Sequence, residues 1–440
     1  MYQNLNRIIK FISWFALISL VFYDVTLLYI YAMDIPFWDV WVNFPRGGFG
    51  HLFEYHNENM QFFYFLISEI VYLLFDWNLR YFNFINFFIY TFIGYVYWKI
   101  LSKSNQGKMA IIPLLLMPIF TPMVGYNWLW AMLVQTHTMI LFYLCAIYFG
   151  ISLYDNKNTC LLFVLFLMLS IVSMNIPLAI GGVIAYLIKE IIDNYCTKNK
   201  TINITNYKRS IFSIISIALF LGVLAYVGVS KDFEEAKFTN VLSLQYWYNL
   251  SFYVVNSLNI FAFAHIYNAK ICLSLFVLLI VLLAITLYEQ YRIKEYHAPW
   301  CIIFGVMFWV CCVVSFRHGE VFSYDSSFIR HNETMFMLLP SLFFVLLVSK
   351  YRVINVIGYV LLFSMIYGVV CDIKSERYQF FGRLHYKNAC ECLHYHYYGE
   401  GLFDKNWKCL MNYPIFVDGQ MEQARTMDLS FIKTVQKCYK

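Results

Sequence analysis

Charge-free apolar runs of 15 to 22 residues recur along almost the whole chain, and no other feature restricts its fold so strongly. An α-helix rises 1.5 Å per residue, so about 20 such residues cross a ~30 Å hydrocarbon core with every backbone group bonded internally. Composition agrees: 61% of the 440 residues are hydrophobic and 13% charged, whereas soluble domains run near 45–50% and about 25%. A soluble fold has too little interior to hide that much apolar surface. The fold expected is therefore an all-α polytopic membrane protein with about eleven transmembrane helices. No Gly-rich, basic or Cys/His-spaced signature of nucleic-acid binding is present.

The first run, Phe11 to Tyr31, follows Arg7 and Lys10 and has no small-residue cleavage site, so it reads as an uncleaved span with a cytoplasmic N-terminus. Further spans are expected at 81–100, 109–123, 137–153, 160–174, 177–191, 210–229, 270–288, 299–316, 334–349 and 353–371. Alternating them puts Arg7, Lys10, Lys99, Lys103, Lys108, Lys157, Lys189, Lys198, Lys200, Lys208, Arg209, Arg292, Lys294, Lys350 and Arg352 inside. The opposite-side loops between spans carry seven, Arg46, Arg80, Lys231, Lys237, Lys270, Arg317 and Arg330, over a longer total length. That asymmetry follows the positive-inside rule.

Two apolar segments fit spans poorly. Residues 61–75 are short and contain Glu69, and a crossing there would invert the lysines that follow, so they read as a re-entrant or interfacial helix. Residues 251–267 are interrupted by Asn256, Asn259 and His265. At Asn175-Ile176-Pro177 the proline disfavours helix before it, and a tight hairpin is expected. The long outer segments are then 32–80, 230–269, 317–333 and the tail 372–440. The division is a membrane domain over 1–371, with interfacial helices in its first outer loop 32–80, and a small outer C-terminal domain over 372–440. The tail holds Cys390, Cys392, Cys409 and Cys438. Two readings stand there: a disulfide from Cys390 or Cys392 to Cys409 or Cys438, or four free thiols. Cysteines within the spans read as small buried hydrophobes.

Candidate chemistry gathers in the outer loops. Asp34 and Asp39 lie just past the first span, where a carboxylate can take a proton from a hydroxyl held at membrane depth; as helix caps they would need no such role. A polar cluster follows: His51, Glu54, His56, Asn57 and Glu58. On a helix His51 and Glu54 would share a face, as would Glu54 and Glu58. The cluster reads as a binder of substrate hydroxyls or as a hydrogen-bonded interfacial patch. A metal site from His51, Glu54 and Glu58 is conceivable, yet the chain shows no preformed tetrahedral ligand set, so no metal residues are assigned and the cofactor stays unknown, a divalent cation being open but not indicated. Farther on, Arg317, Tyr324 and Arg330 flank another outer loop, where guanidinium groups suit a phosphate or snorkel to headgroups. Within spans, Asp24, Gln135 and His137 occupy costly positions.

The run from Asp39-Val40-Trp41 to His56-Asn57-Glu58-Asn59 resembles the D-x-W…HNEH pattern of bacterial GT-C-type membrane glycosyltransferases, the phage-type serotype-converting O-antigen glucosyltransferases in particular. Asn59-Met60 departs from the basic pair of that pattern. The resemblance implies residence in the bacterial inner membrane with the C-terminus periplasmic. It implies an undecaprenyl-phosphate-linked sugar donor, most simply glucose, and a lipid-linked or polymeric glycan acceptor, with inner-membrane lipids around them. Asp39, flanked by Trp38 and Trp41, or Asp34 would then be the base, and Arg317 or Arg330 would meet the donor phosphate. An O-antigen polymerase would rest instead on loop arginines. A polysaccharide flippase would show charges deep in several spans and repeated halves. Only Asp24 and Glu69 approach that pattern, and no repeat is present.

Overall fold

The computed structural model describes residues 2–32, 34, 36, 40, 43–52, 55–56, 59–104, 109–120, 131–151, 162–166, 168–169, 240–257, 268–293, 298–316, 332–375 and 417–437. Over these the chain is all-α apart from one small hairpin. The elements are α1 (Tyr2–Tyr31), β1 (Tyr55–His56), β2 (Asn59–Met60), α2 (Phe62–Phe75), α3 (Leu79–Ser104), α4 (Ile112–Leu116) and α5 (Val134–Ile151). They continue with α6 (Leu244–Ser257), α7 (Ala269–Arg292), α8 (Pro299–Phe316), α9 (Asn332–Leu347), α10 (Arg352–Ser375), α11 (Val417–Thr426) and α12 (Ser430–Lys437).

Among the described residues four helices are long and apolar enough to cross a membrane, lying within α1, α3, α7 and α10. The apolar stretches of α2, α5, α8 and α9 are shorter. Their surfaces carry the physical signature of a lipid-facing bundle. On α1 the residues Leu17, Leu20, Asp24, Leu27, Leu28 and Tyr31 are buried, a stripe recurring every three or four positions, whereas Phe11, Phe15, Ile18 and Phe22 on the other faces are exposed. Val277, Leu278 and Val281 on α7 and Val353, Val360 and Phe363 on α10 are likewise exposed. Apolar faces this continuous are costly in water and suit a lipid bilayer.

The chain divides into two compact units, the first made of Met1–Ser19, Ile93–Thr121 and Met139–Cys371, the second of Leu20–Phe92, Pro122–Thr138 and Asp372–Lys440. In the first unit α9 is the hub, touching α4, α6, α7 and α8. Its residues Leu342, Phe343, Phe344, Val345 and Leu346 are wholly buried. Several polar groups inside are bonded: the Tyr143 hydroxyl donates to the Cys301 carbonyl at 2.8 Å, the Trp300 indole N–H donates to Gln290 Oε1 at 2.7 Å, and Tyr97 bonds Ser341. Gly305 on α8 is required by close approach, since a Cβ there would lie 1.8 Å from the Tyr143 hydroxyl oxygen. At the far end of α7, Glu289 accepts hydrogen bonds from the Ser349 hydroxyl and the Lys350 backbone N–H, so a buried carboxylate closes the turn into α10.

Two expected elements differ. The stretch expected to span at 109–123 is a five-residue helix followed by a 3₁₀ turn, Met117–Phe120. Pro118 has no N–H to carry the α-ladder onward, which breaks the run. The helix imagined through the polar cluster is a hairpin instead, with Tyr55 opposite Met60 and His56 opposite Asn59. Glu54 and Glu58 themselves lie outside the described residues. The expected spans at 177–191 and 210–229, and the four tail cysteines, lie outside the described residues.

Candidate functional site

The second unit gathers the segment after α1, α2, the start of α3 and the C-terminal helices around one apolar cluster. Phe44, Tyr64, Phe65, Val71, Trp77, Phe82, Leu429 and Phe431 are buried in it. Phe431 meets Phe44 edge-on at 5.8 Å and Trp77 at 6.2 Å between ring centroids, and Phe44 meets Trp77 at 4.7 Å. Asp372–Lys440 falls in this unit with Leu20–Phe92 and Pro122–Thr138, and its described helices α11 and α12 contribute Ala424, Leu429, Phe431 and Ile432 to the cluster.

Asp34 is the joint of that body. One carboxylate oxygen accepts the Leu79 backbone N–H at 2.9 Å, satisfying an orphan donor at the N-terminus of α3, where the helix dipole also favours negative charge. The other accepts the Ser430 hydroxyl at 2.6 Å, and Asn78 Nδ2 donates to that hydroxyl at 3.1 Å. The Ser430 backbone N–H donates to the Asp76 carbonyl at 2.8 Å. Asp34 is buried, and both of its oxygens are engaged.

Gln135 has a comparable task. Its Oε1 accepts the Phe63 and Tyr64 N–H groups at 2.8 and 3.0 Å, capping α2 from a distant segment. His137 bonds Asn86 through Nδ1 and sets its ring edge-on to Tyr90 at 4.8 Å. Asp24 is fully buried, and among the described residues neither of its oxygens has a hydrogen-bond partner.

His51 and Glu69 form a second buried polar contact. His51 Nε2 lies 3.2 Å from Glu69 Oε1, with the side chains 6% and 1% exposed. The same oxygen accepts the Arg46 backbone N–H at 2.6 Å. Phe65 packs edge-on against the imidazole at 5.1 Å, and the Tyr64 hydroxyl donates to the Asn43 carbonyl at 2.9 Å. Between these anchors run Arg46-Gly47-Gly48-Phe49-Gly50, with Gly47 in the left-handed region at φ +72°. This pair explains why an otherwise apolar α2 contains Glu69. Its sequence signal was a carboxylate inside a run too short to span, and what the sequence lacked was the partner.

Of the residues singled out for chemistry, the structure thus brings Asp34 and His51 into the second unit, on the same loop. His56 lies in β1. Asp39, Glu54, Asn57, Glu58, Arg317, Tyr324 and Arg330 lie outside the described residues. Among the described residues no group of three or more His, Cys, Asp or Glu side chains is placed to hold a metal ion. No protein-family model matches this chain, and neither does any curated protein or any solved structure.

Proposed function

We propose that this protein is a polytopic bacterial inner-membrane glycosyltransferase that moves a sugar, most simply glucose, from undecaprenyl phosphate to O-antigen or a related surface glycan. The observation that carries the reading is the body built on Asp34, where the first outer loop and the C-terminal helices pack as one polar-edged unit beside the end of α1. The loop and the tail must then share a side of the membrane. About eleven spans from a cytoplasmic N-terminus place both in the periplasm, as the lysine and arginine distribution favours.

In this reading the acceptor hydroxyl attacks the anomeric carbon and the bond to the donor phosphate breaks. The phosphate leaves as an anion, so no acid is needed for it. Asp39 takes the hydroxyl proton, since Asp34 already spends both oxygens on the α3 terminus and Ser430. His51, Glu54, His56, Asn57 and Glu58 bind sugar hydroxyls, and Arg317 or Arg330, with Tyr324, meets the phosphate. The decisive experiment is sugar addition to O-antigen by the Asp39→Asn variant at matched protein level. Loss of a general base costs roughly 10²–10⁴ in rate; near-wild-type modification would remove the base from the reading.

A further inference from the structure

The first unit holds positive charge with no carboxylate beside it in sequence. Residues 1–19 and 93–121 contain Arg7, Lys10, Lys99, Lys103 and Lys108 and neither Asp nor Glu. Arg7, Lys10 and Lys103 are exposed, and Lys99 is half-buried. Two helices bring these four together. Trp14 of α1 meets Trp98 of α3 edge-on at 5.9 Å between ring centroids. Farther along the same two helices, Arg80 Nη2 donates to the Tyr29 carbonyl at 3.4 Å, so they run antiparallel. One turn outward from the tryptophan contact is about four residues back along α1 and about four residues on along α3, which brings Lys10 to the level of Lys103. Arg7 follows roughly one turn farther out.

Aromatic rings hold the ammonium groups. Lys99 Nζ lies 4.8 Å from the Trp98 ring centroid and 5.4 Å from that of Tyr95, and Lys103 Nζ lies 5.9 Å from that of Tyr148 on α5. Tryptophan and tyrosine favour the headgroup zone of a bilayer, so charges beside and just beyond the Trp14–Trp98 contact stand at the depth of lipid phosphates. The dipole at the C-terminus of α3 accounts for Lys103. It does not account for Arg7 and Lys10, which lie toward the N-terminal end of α1, where a helix favours anions. Orientation in the membrane would be served by basic residues anywhere on that side, whereas these share one place on adjacent helices. Next to Lys10, α1 exposes Phe11 and Phe15, stacked at 6.4 Å, an apolar track suited to an acyl chain.

We infer that these parts of α1 and α3 bind an acidic phospholipid, with its phosphate among Lys10, Lys99 and Lys103 and an acyl chain along Phe11 and Phe15. The inference rests on the membrane-spanning part of the proposed function and on none of its chemistry.

Full-length protein in neutral detergent, titrated with phosphatidylglycerol or phosphatidylcholine and read by native mass spectrometry, tests the site. Phosphatidylglycerol should bind at least tenfold more tightly. A basic side chain at a membrane surface contributes roughly fivefold in affinity, so Lys10→Gln combined with Lys99→Gln should weaken phosphatidylglycerol binding about 25-fold and leave phosphatidylcholine binding unchanged. The control pair Arg292→Gln with Arg352→Gln, elsewhere in the same unit, should keep the wild-type preference. Equal affinity for the two lipids, or an equal loss in the two double variants, would overturn the inference. Millimolar inorganic phosphate should leave the lipid bound, and complete displacement would reduce the site to one for any anion and overturn it as well. Where the lysine variants fail to insert, the wild type supplies its own test. Phosphatidylglycerol should slow acetylation of Lys10 and Lys99 at least threefold without slowing that of Lys350, and equal protection of all three lysines would refute a localised site. Alkaline carbonate extraction separates the two readings. Protein that leaves the membrane ends both, whereas protein that stays embedded but shows no lipid preference ends the inference alone.

Discussion

Asp34 and Asp39 are two carboxylates five positions apart whose expected mutant behaviour diverges, and the divergence follows from the contacts of Asp34. Replacing Asp34 by Ala removes the acceptor of the Leu79 N–H at 2.9 Å and of the Ser430 hydroxyl at 2.6 Å. Hydrogen bonds to a charged group contribute roughly 1.5–3 kcal/mol each, and a buried donor left without an acceptor adds to the loss, so the second unit should weaken by about 3 kcal/mol or more. Asn behaves differently. Its amide oxygen can still take the Leu79 N–H, and its NH₂ can donate to Ser430, whose hydroxyl works as donor or acceptor. The cost should fall to about 1 kcal/mol, the typical value of one neutral bond. Thermal unfolding in detergent, with limited proteolysis of residues 417–437 as a local probe, reads both numbers. Asp34→Ala should release the C-terminal helices to protease well below the wild-type temperature, with Asp34→Asn near wild type and still active in O-antigen modification. Wild-type protease resistance in Asp34→Ala would refute the tether. An inactive but fully stable Asp34→Asn would make Asp34 the base in place of Asp39.

The same unit predicts that Phe431→Ala, which empties a wholly buried ring site between Phe44 and Trp77, costs about 3–5 kcal/mol and frees the tail to protease; unchanged resistance would count against the packed cluster. In the first unit Gly305→Ala drives a Cβ to 1.8 Å from the Tyr143 hydroxyl and 2.6 Å from its ring carbon. It should cut the yield of monodisperse protein by size-exclusion chromatography, and Tyr143→Ala in the same chain should restore it. Equal yields for Gly305→Ala and wild type would show that α5 and α8 do not approach so closely.

Periodicity and the length of apolar runs were legible along the chain because a helix in hydrocarbon satisfies its own backbone, and nothing beyond local composition is needed to specify it. Thus α1, α3, α7 and α10 lie where hydropathy placed spans. The awkward residues were also visible, since Asp24, Glu69, Gln135 and His137 stand out in apolar surroundings. Their tasks were not visible. Gln135 caps a helix by bonding an N–H 72 positions earlier than itself, Glu69 holds a loop 23 positions away, and Asp34 bonds a hydroxyl 396 positions away. A polar residue declares its cost locally, through its own desolvation, but its compensation comes from whichever donor the fold brings near. The sequence by itself determined an all-helical chain with apolar outward faces and a polar first loop. The tertiary structure alone decided that the tail completes that loop, that residues around His56 form a hairpin, and that Asp34 is a joint, because hydrogen-bond partners and ring contacts depend on distances that no spacing along the chain encodes.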